Sequence, residues 1–291
     1  MKLFHSNTPY TFLGVDSDFK KARVGVLPVP YDSTASYRTG MRHGPQAIID
    51  ASRQLELFDI EAGKEIGKEI GFFTFDELQC SKKDPAQVIK AVQESVEEIL
   101  AAGKWPLMLG GEHSLSSGAV AACKEKFGEL TVLHIDAHAD MRPEYEGTPY
   151  NHASVMARCR AMGPVVSVGV RSYSIDEAKE VRGKYKDVVF DASPLTEARV
   201  KEIVGKIKTD KVYISIDIDG FDPAVMPAVG TPEPGGLQWM ETLRLLKEVG
   251  QKKTVVGADV VELCPIPGNV IADFACAKLC YKLAGYCLLK K

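Results

Sequence analysis

Short, nearly continuous apolar runs recur along the chain and alternate with stretches that have helical periodicity. Such runs are typical of strands buried on both faces, because a half-exposed strand alternates apolar and polar residues. Strands that alternate with helices form a mostly parallel sheet with helices on both sides. The sequence therefore predicts an α/β fold of this kind. Strands are predicted at residues 23–29, 106–110, 131–136, 165–170, 187–190, 212–217 and 254–263.

Three segments show the clearest helical periodicity, at residues 84–103, 237–250 and 269–286. In the first, Asp84 suits the N-cap position and Pro85 suits the first turn. These segments are the predicted helices that cover the sheet.

The bulk properties of the chain exclude several classes of protein. No repeat or change of composition marks a boundary, so residues 1–291 are expected to form a single domain. The net charge of -3 argues against a nucleic-acid partner. The apolar stretch at 274–289 is interrupted by Lys278 and Lys282, so no membrane partner is expected. Without a secretory signal in the sequence, a cytoplasmic location with reduced cysteines is expected.

Polar side chains gather where three of the predicted strands end. The segment HIDAHAD at 134–140 places two aspartates and a histidine on alternate positions, which share one face of an extended strand. VYISIDIDGFDP at 212–223 repeats this spacing, and PLMLGGEHS at 106–114 places a histidine after a Gly-Gly turn. Ligands collect at the carboxyl ends of parallel strands. The candidate site residues are His113, Asp136, His138, Asp140, Asp217 and Asp219.

Carboxylates that converge in this way repel one another by roughly 4 kcal/mol per close pair at an effective dielectric constant of about 20. Two divalent cations would cancel the charge of the four aspartates, and a carboxylate can bridge two metals. Oxygen-rich ligands with two imidazoles suit Mn²⁺, while Co²⁺, Fe²⁺ and Zn²⁺ are not excluded. The alternative is that each aspartate forms a turn or caps a helix.

Four other polar or sulfur-containing residues have simpler interpretations. His134 lies deeper in its strand than Asp136 and is predicted to be a packed, hydrogen-bonded histidine. Glu112 is expected to support the site from behind or to face solvent. Cys276 and Cys280 are spaced for one face of a helix and are predicted to be packing residues.

Five segments occur in the order GGEHS, DAHAD, YNHAS, SIDIDGFDPAVMPAVGTPEPGGL and DVVEL. With them the chain resembles, over nearly its whole length, the ureohydrolase family, which includes arginase and agmatinase. The amino-terminal segment PYDSTASYRTGMRHGPQAI is similar to the agmatinase branch. The resemblance implies a three-layer α/β/α fold with a central, mostly parallel sheet, as in arginases and deacetylases. It also implies a binuclear manganese centre and a homo-oligomer, either a trimer or a hexamer.

The same resemblance assigns the candidate residues to two metal ions, with Asp136 and Asp217 bridging both. In the family, a hydroxide held between the metals attacks the guanidinium carbon, because the metals lower the pKa of bound water. The first ion is expected to bind His113, Asp136, Asp140 and Asp217, and the second His138, Asp136, Asp217 and Asp219.

Three residues are expected, by resemblance, to take part in catalysis. Asp140 would accept the proton of the attacking water. His152, in EGTPYNHAS, matches the proton-shuttle histidine of the family, and an imidazole titrates in the required range. Glu262, at the end of TVVGADVVEL, matches the glutamate that binds the guanidinium group through two parallel hydrogen bonds.

The segment EYEGTPYNHAS resembles agmatinase more than arginase, which holds the α-carboxylate of its substrate with an Asn-x-His-Gly pattern. The expected substrate is therefore a small guanidino compound, agmatine, which is hydrolysed to urea and putrescine in polyamine biosynthesis. Guanidinobutyrase and arginase activities are alternatives, because Arg142 could pair with a carboxylate tail and LCPIPGNVIADF departs from the usual family sequence. Two further alternatives are a catalytically silent binding or regulatory relative and a deacetylase with one zinc ion.

Overall fold

Strands and helices alternate along the computed structural model, which describes residues 4, 7, 8, 10–15, 17–80 and 83–289. The strands are β1 (Val24–Val29), β2 (Phe58–Asp59), β3 (Lys64–Glu65), β4 (Phe72–Thr74), β5 (Trp105–Gly110), β6 (Thr131–Ile135), β7 (Val165–Val168), β8 (Val189–Phe190), β9 (Lys211–Asp217) and β10 (Thr254–Val261). The helices are α1 (Gly44–Ser52), α2 (Ile66–Ile70), α3 (Pro85–Ala101), α4 (Ser116–Phe127), α5 (Val155–Met162), α6 (Ile175–Arg182), α7 (Glu197–Lys206), α8 (Trp239–Lys252) and α9 (Ile271–Leu288).

Eight of these strands form one sheet in the order β4-β1-β5-β10-β9-β6-β7-β8, and all neighbouring strands in it are parallel. The short strands β2 and β3 form a separate antiparallel ribbon. Helices pack on both faces of the sheet. The predicted α/β fold, with a central parallel sheet between layers of helices, is therefore confirmed. None of the described helices combines the length and the apolar character needed to cross a membrane.

The sheet is buried on both faces because successive residues of its central strands point into two different apolar cores. In β5, Leu107 and Leu109 lie in one core and Met108 lies in the other. Helices α1, α7, α8 and α9 cover the first core, and α3, α4 and α5 cover the second. Cys276 and Cys280 belong to the first core, as expected for packing residues. Burial of one large apolar side chain contributes about 1.5–3 kcal/mol, which explains the continuous apolar runs.

The three predicted helices all occur in the structure. The helix predicted at 84–103 is α3, and its N-cap Asp84 accepts a hydrogen bond from the backbone N–H of Gln87 (2.8 Å). The helices predicted at 237–250 and 269–286 are α8 and α9, each beginning and ending two residues later than predicted. The edge strand β4 and the other six helices are not among the predicted elements.

The four central strands of the sheet, β5, β10, β9 and β6, deliver chemically active side chains to one edge. Because the strands are parallel, their carboxyl ends share that edge. His113 follows β5, Asp136 follows β6, Asp217 ends β9, and Glu262 follows β10. The fold therefore brings together segments that are far apart in the sequence.

Candidate metal centre

A Gly-Gly turn after β5 delivers His113 to this edge of the sheet. A side chain on Gly111 would place its Cβ 2.0 Å from the backbone oxygen of Tyr31, so only glycine fits where these segments cross. The backbone N–H of His113 then donates to Oε1 of Glu262 at 2.6 Å. This bond fixes the two residues relative to each other across 149 positions of sequence.

Three carboxylates surround Nδ1 of His113. This nitrogen lies 2.9 Å from Oδ2 of Asp136, 3.3 Å from Oδ2 of Asp140 and 3.3 Å from Oδ2 of Asp217. His113 and Asp136 are fully buried, yet Nδ1 has no partner of acceptable hydrogen-bond geometry among the described residues. A buried polar atom without a partner is costly, and so is a group of buried carboxylates without compensating positive charge.

A second group of residues shares Asp136 with the first. Nδ1 of His138 lies 3.0 Å from Oδ2 of Asp219 and 3.4 Å from Oδ1 of Asp136. Asp219 accepts a hydrogen bond from the backbone N–H of Ala137 (3.0 Å), and Asp217 accepts one from that of Asp219 (2.9 Å). The ligand-type atoms of Asp136, His138 and Asp219 lie within 4.8 Å of one another. The structure thus brings the six candidate residues together in one two-part cluster.

His134 lies beside the first group, within the same 4.8 Å as ligand-type atoms of His113, Asp136 and Asp140. Its Nε2, however, lies 2.8 Å from Oδ2 of Asp136, and its Nδ1 lies 3.0 Å from the hydroxyl of Ser167. Burial lowers the pKa of His134 and keeps the ring neutral. It is therefore a packed, hydrogen-bonded histidine that orients Asp136, as its place in the strand suggested.

Burial and neighbouring charges raise the pKa of several members of the cluster, whereas the neighbouring histidines lower that of Asp136. Burial and the nearby Asp136 raise the pKa of Asp140 to about 7. Burial, together with Asp219 and Asp136, raises the pKa of Asp217 well above its usual range. Burial opposes protonation of His138, but contact with Asp219 and Asp136 outweighs it and raises the pKa of the ring. The cluster therefore attracts protons or metal cations strongly.

The donor atoms of the cluster fit two divalent cations. Carboxylate oxygens with one imidazole in each part are ligands that Mn²⁺, Co²⁺, Fe²⁺ and Zn²⁺ accept. Nδ1 of His113 has no hydrogen-bond partner among the described residues and faces Oδ2 of Asp136, as expected for a nitrogen and an oxygen that bind the same ion. Asp136 contributes to both parts, as a bridging carboxylate would.

The Mn²⁺ affinity of the protein should rise with pH between about 6 and 8. The pKa of Asp140 is about 7 in the folded protein against an ordinary value of 3.8, so folding takes up a proton between these two pH values. The raised pKa of His138 acts in the same direction above its ordinary value of 6.5. Stripped of metal, the protein should lose stability as the pH rises through these windows, because the folded state then binds more protons than the unfolded chain. Metal binding displaces these protons and strengthens as they become easier to remove.

Calorimetric titration of the stripped protein with Mn²⁺ at several pH values, in buffers of different ionisation enthalpy, measures both the affinity and the protons released. Thermal unfolding of the stripped and loaded forms in the same buffers provides the control for general pH effects. A Mn²⁺ affinity that does not change with pH would contradict the assignment of these groups to a cation site.

Two residues at the site have strained backbone conformations. Asp140 has a φ of 52° and Glu262 a φ of 68°, in the left-handed region that favours glycine. Such conformations cost about 1–3 kcal/mol each and cluster at functional sites. The carbonyl oxygen of Asp140 accepts hydrogen bonds from the backbone N–H groups of Met156 (2.9 Å) and Ala157 (3.1 Å). The start of α5 therefore holds Asp140 in this conformation.

His152 lies on the wall of a cavity of about 320 Å³ that opens onto the cluster. Its Nε2 lies 3.4 Å from the hydroxyl of Ser36, and its Nδ1 lies 3.5 Å from that of Thr34. The ring of Tyr145 packs edge-on against it, with 5.9 Å between the ring centroids. Burial lowers the pKa of His152, so its ring is neutral at pH 7 and can take up a proton.

Glu112 supports this wall of the cavity from behind. It is fully buried and accepts hydrogen bonds from the backbone N–H of Thr34 (2.7 Å), the hydroxyl of Thr34 (2.6 Å) and the hydroxyl of Ser114 (2.5 Å). The carboxylate thereby anchors the segment that carries Thr34 and Ser36 beside His152. Of the two expectations from the sequence, support from behind is right and exposure to solvent is wrong.

Glu262 and Arg142 also line the cavity. Burial, and next the charge of Glu112, raise the pKa of Glu262 well above its usual range. Nε of Arg142 lies 3.6 Å from Oε2 of Glu177, and its guanidinium group lies 4.6 Å above the ring centre of Tyr145. The positive charge of Arg142 is therefore partly offset within the cavity.

Comparison with known proteins agrees with this arrangement. A model described as the arginase family matches residues 22–285. The chain belongs to the arginase family. Arginase-family enzymes depend on a binuclear metal centre and act on small guanidino compounds, and the two-part cluster fits such a centre. The predicted membership of the ureohydrolases is confirmed.

Relatives within the arginase family cover most of the chain. An N(1)-aminopropylagmatine ureohydrolase from Synechocystis sp. is 40% identical over 277 residues, which cover 93% of this chain and 90% of the relative. An agmatinase from Bacillus anthracis is 36% identical over 263 residues, which cover 88% of each. The crystal structure of agmatine ureohydrolase of Thermoplasma volcanium is 32% identical and gives a TM-score of 0.84 over 96% of this chain and 94% of that chain. The prediction of an enzyme of the agmatinase type of ureohydrolase is confirmed.

Proposed function

We propose that this arginase-family enzyme hydrolyses agmatine to urea and putrescine. The observation that supports this proposal most directly is a cavity that opens onto the two-part cluster of histidines and aspartates, with Glu262 and His152 on its wall. Such a cavity can hold a guanidinium group against the cluster while the alkyl tail extends outward. The resemblance further supports one domain over residues 1–291 and assembly into a trimer or hexamer.

The six clustered residues are the proposed ligands of two Mn²⁺ ions. When bound, the ions supply positive charge that neutralises the aspartates and lower the pKa of a coordinated water towards neutrality. Asp136 and Asp217 are the proposed shared ligands. Asp136 lies near Nδ1 of both His113 and His138. Asp217 lies near Nδ1 of His113 and accepts the backbone N–H of Asp219. One ion is assigned to His113, Asp136, Asp140 and Asp217, and the other to His138, Asp136, Asp217 and Asp219.

Glu262 is the proposed binding residue for the guanidinium group. Its Oε1 already accepts the backbone N–H of His113, so Oε2 is the oxygen left for the substrate. The positive guanidinium group opposes the burial that raises the pKa of Glu262, and it therefore favours the ionised carboxylate. The charge-assisted hydrogen bond to Oε2 then orients the reacting carbon towards the cluster. The two parallel hydrogen bonds expected from the sequence would require Oε1 to be shared between His113 and the substrate.

Asp140 and His152 are the proposed proton carriers. Water adds to the guanidinium carbon and loses a proton. Asp140 can accept this proton because it lines the cavity and its pKa is raised to about 7. The bond from that carbon to the alkyl nitrogen then breaks, and the departing amine needs a proton. His152 can relay one because it lies on the cavity wall with a neutral ring.

A second candidate substrate is N(1)-aminopropylagmatine, an agmatine with a longer amine tail. The relative named for it is 40% identical to this chain, against 36% for the Bacillus anthracis agmatinase. Tyr37 lines the cavity and is 75% exposed, so the cavity reaches the protein surface, in the direction that a longer tail would take.

The alternatives with an acidic tail are less well supported by the cavity. Arg142, the cation that could pair with a carboxylate tail, lies beside Glu177. A catalytically silent relative is also disfavoured, because His152 and Glu262 line the same cavity as members of the cluster. The deacetylase alternative predicts fewer acidic groups around His113 than the three carboxylates found there.

Urea release from agmatine, N(1)-aminopropylagmatine, arginine and 4-guanidinobutyrate tests the proposal. We expect agmatine to give the highest kcat/KM and arginine to fall below it by at least about tenfold, or ~1.4 kcal/mol. Metal-stripped protein serves as the control for background hydrolysis. A higher kcat/KM for N(1)-aminopropylagmatine would select the second candidate. Preference for either acid would overturn both.

A further inference from the structure

A carboxylate lies in the middle of the apolar strand β10, where nothing in the proposed function requires one. Asp259 is fully buried, and in the parallel pairing of β9 and β10 its register partner is Ser215, which is also fully buried. A charge in the core of a sheet is costly unless hydrogen bonds compensate for it. The contacts of Asp259 therefore show why the sheet tolerates it.

Hydrogen bonds connect Asp259 to His113 through Ser215. The hydroxyls of Tyr213 and Ser215 donate to Oδ2 and Oδ1 of Asp259, each at 2.8 Å. Nε2 of His113 lies 2.9 Å from the hydroxyl oxygen of Ser215. The hydroxyl oxygen of Ser116 lies 3.2 Å from that of Ser215, farther than either Oδ1 of Asp259 or Nε2 of His113.

The single hydrogen of the Ser215 hydroxyl determines the direction of this chain. The Ser215 hydroxyl donates its hydrogen to Oδ1 of Asp259, and this bond satisfies a carboxylate oxygen that is buried in the sheet. The oxygen of Ser215 must then accept the hydrogen on Nε2 of His113. In a neutral imidazole with hydrogen on Nε2, the lone pair is on Nδ1. That atom faces the carboxylates of Asp136, Asp140 and Asp217.

We infer that Asp259, acting through Ser215, is a positioning residue that presents the Nδ1 lone pair of His113 to a metal ion. The opposite tautomer would require Ser215 to donate to Nε2, which would leave Oδ1 of Asp259 buried without that hydrogen bond. The ring of His113 is also held in place, because one nitrogen is bonded on the side away from the cluster. This inference rests on the proposed metal centre.

The substitution Ser215→Ala breaks the connection and tests the inference. Outer partners of metal ligands typically contribute 10–100-fold to metal affinity. Ser215→Ala should therefore weaken the binding of one of two Mn²⁺ ions by about 10–100-fold, and excess Mn²⁺ should restore most of the activity. Ser95→Ala is the matched control, because Ser95 is equally buried but donates to the carbonyl of Ala91 within α3. It should bind both ions as the wild type does.

Titration of the stripped variants with Mn²⁺, followed by calorimetry, measures each affinity separately from activity. The visible absorption of the Co²⁺-loaded forms reports whether the ligand geometry has changed. Asp259→Asn is the second variant and should weaken the same ion, so the test survives if one variant does not fold. A folded Ser215→Ala protein with wild-type affinity at both sites would overturn the inference. A wild-type protein that binds no Mn²⁺ would instead refute the proposed metal centre.

Discussion

Replacing Asp217 by asparagine should reduce urea formation by more than the ~100-fold that is typical of losing an outer partner of a metal ligand. The side chain lies 3.3 Å from Nδ1 of His113 and accepts a hydrogen bond from the backbone of Asp219, so it joins the two parts of the cluster. Asparagine keeps the shape and can still accept that hydrogen bond. Only the negative charge and one oxygen are lost.

The same substitution should change which of the two proteins is more stable: the variant should be at least as stable as the wild type without metal, and less stable with Mn²⁺ bound. In the stripped protein, burial and the charges of Asp219 and Asp136 make ionised Asp217 unfavourable, so Asp217→Asn should be at least as stable as the wild type. Each wild-type site gains about 2.7 kcal/mol when Mn²⁺ is present at 100 times its Kd. The loaded wild type should therefore unfold at a higher temperature than the loaded variant.

Thermal unfolding of both proteins, stripped and with Mn²⁺, measures this reversal. Asp222→Asn is the matched control, since Asp222 lies on the same segment but only accepts backbone hydrogen bonds, from Ala224, Gly235 and Gly236. It should keep the stabilisation by Mn²⁺. Equal stabilisation of the Asp217→Asn protein would show that this carboxylate does not bind metal.

Replacing Glu262 by glutamine should leave both metal sites intact and reduce catalysis strongly. The glutamine oxygen can still accept the backbone N–H of His113, so the segment that carries this histidine keeps its position. Loss of a buried charge that pairs with the guanidinium costs about 2–5 kcal/mol, which corresponds to a fall in kcat/KM of roughly 30-fold to several thousand-fold. The loss of charge is the only large change at the site.

Metal content and kcat/KM measured on the same preparation separate the two roles that Glu262 could have. Glu233→Gln is a suitable control, because Glu233 is a half-buried carboxylate at the same edge of the sheet that accepts from Ser172. Its effect on kcat/KM should be small. If Glu262→Gln lost metal instead, Glu262 would belong to the metal centre and another residue would have to bind the guanidinium.

The strand-end residues could be found in the sequence because their pattern is local. Asp136, His138 and Asp140 alternate directly after an apolar run, and parallel strands place such ends at one edge. Asp259 and Ser215 could not be found in this way. They meet only because β9 and β10 are neighbours in the sheet, and the order of strands in a sheet is not written in local spacing.

Backbone strain, and hydrogen bonds between residues far apart in the sequence, could not be predicted from the sequence either. Nothing in their local sequences marks Asp140 and Glu262 as residues with positive φ, since glycine is the usual residue there. Glu112 reads as a polar residue in a turn, and its partner Thr34 lies 78 residues away. The positive φ values and the contact between Glu112 and Thr34 therefore arise from tertiary packing.

Strand and helix ends were predicted less accurately than the elements themselves. The prediction of 165–170 overshoots β7, which ends at Val168, because Gly169 has a φ of 101° and leaves the extended conformation. Strand β4, with three residues at the edge of the sheet, is too short to give a periodic signal. Helix α4 is buried on several sides because it packs against both α3 and α5, and its buried residues include serines and a glycine, so its sequence has no clear apolar face.

The number of Mn²⁺ ions bound per chain is the most direct test of the central claim, that buried carboxylates around His113 and His138 are held together by two cations. Stripped protein should be loaded with excess Mn²⁺, freed of unbound metal, and analysed for metal and protein in the same sample. The cluster predicts two ions per chain in the wild type. A folded chain that retains no Mn²⁺, or only a single zinc ion, would contradict it.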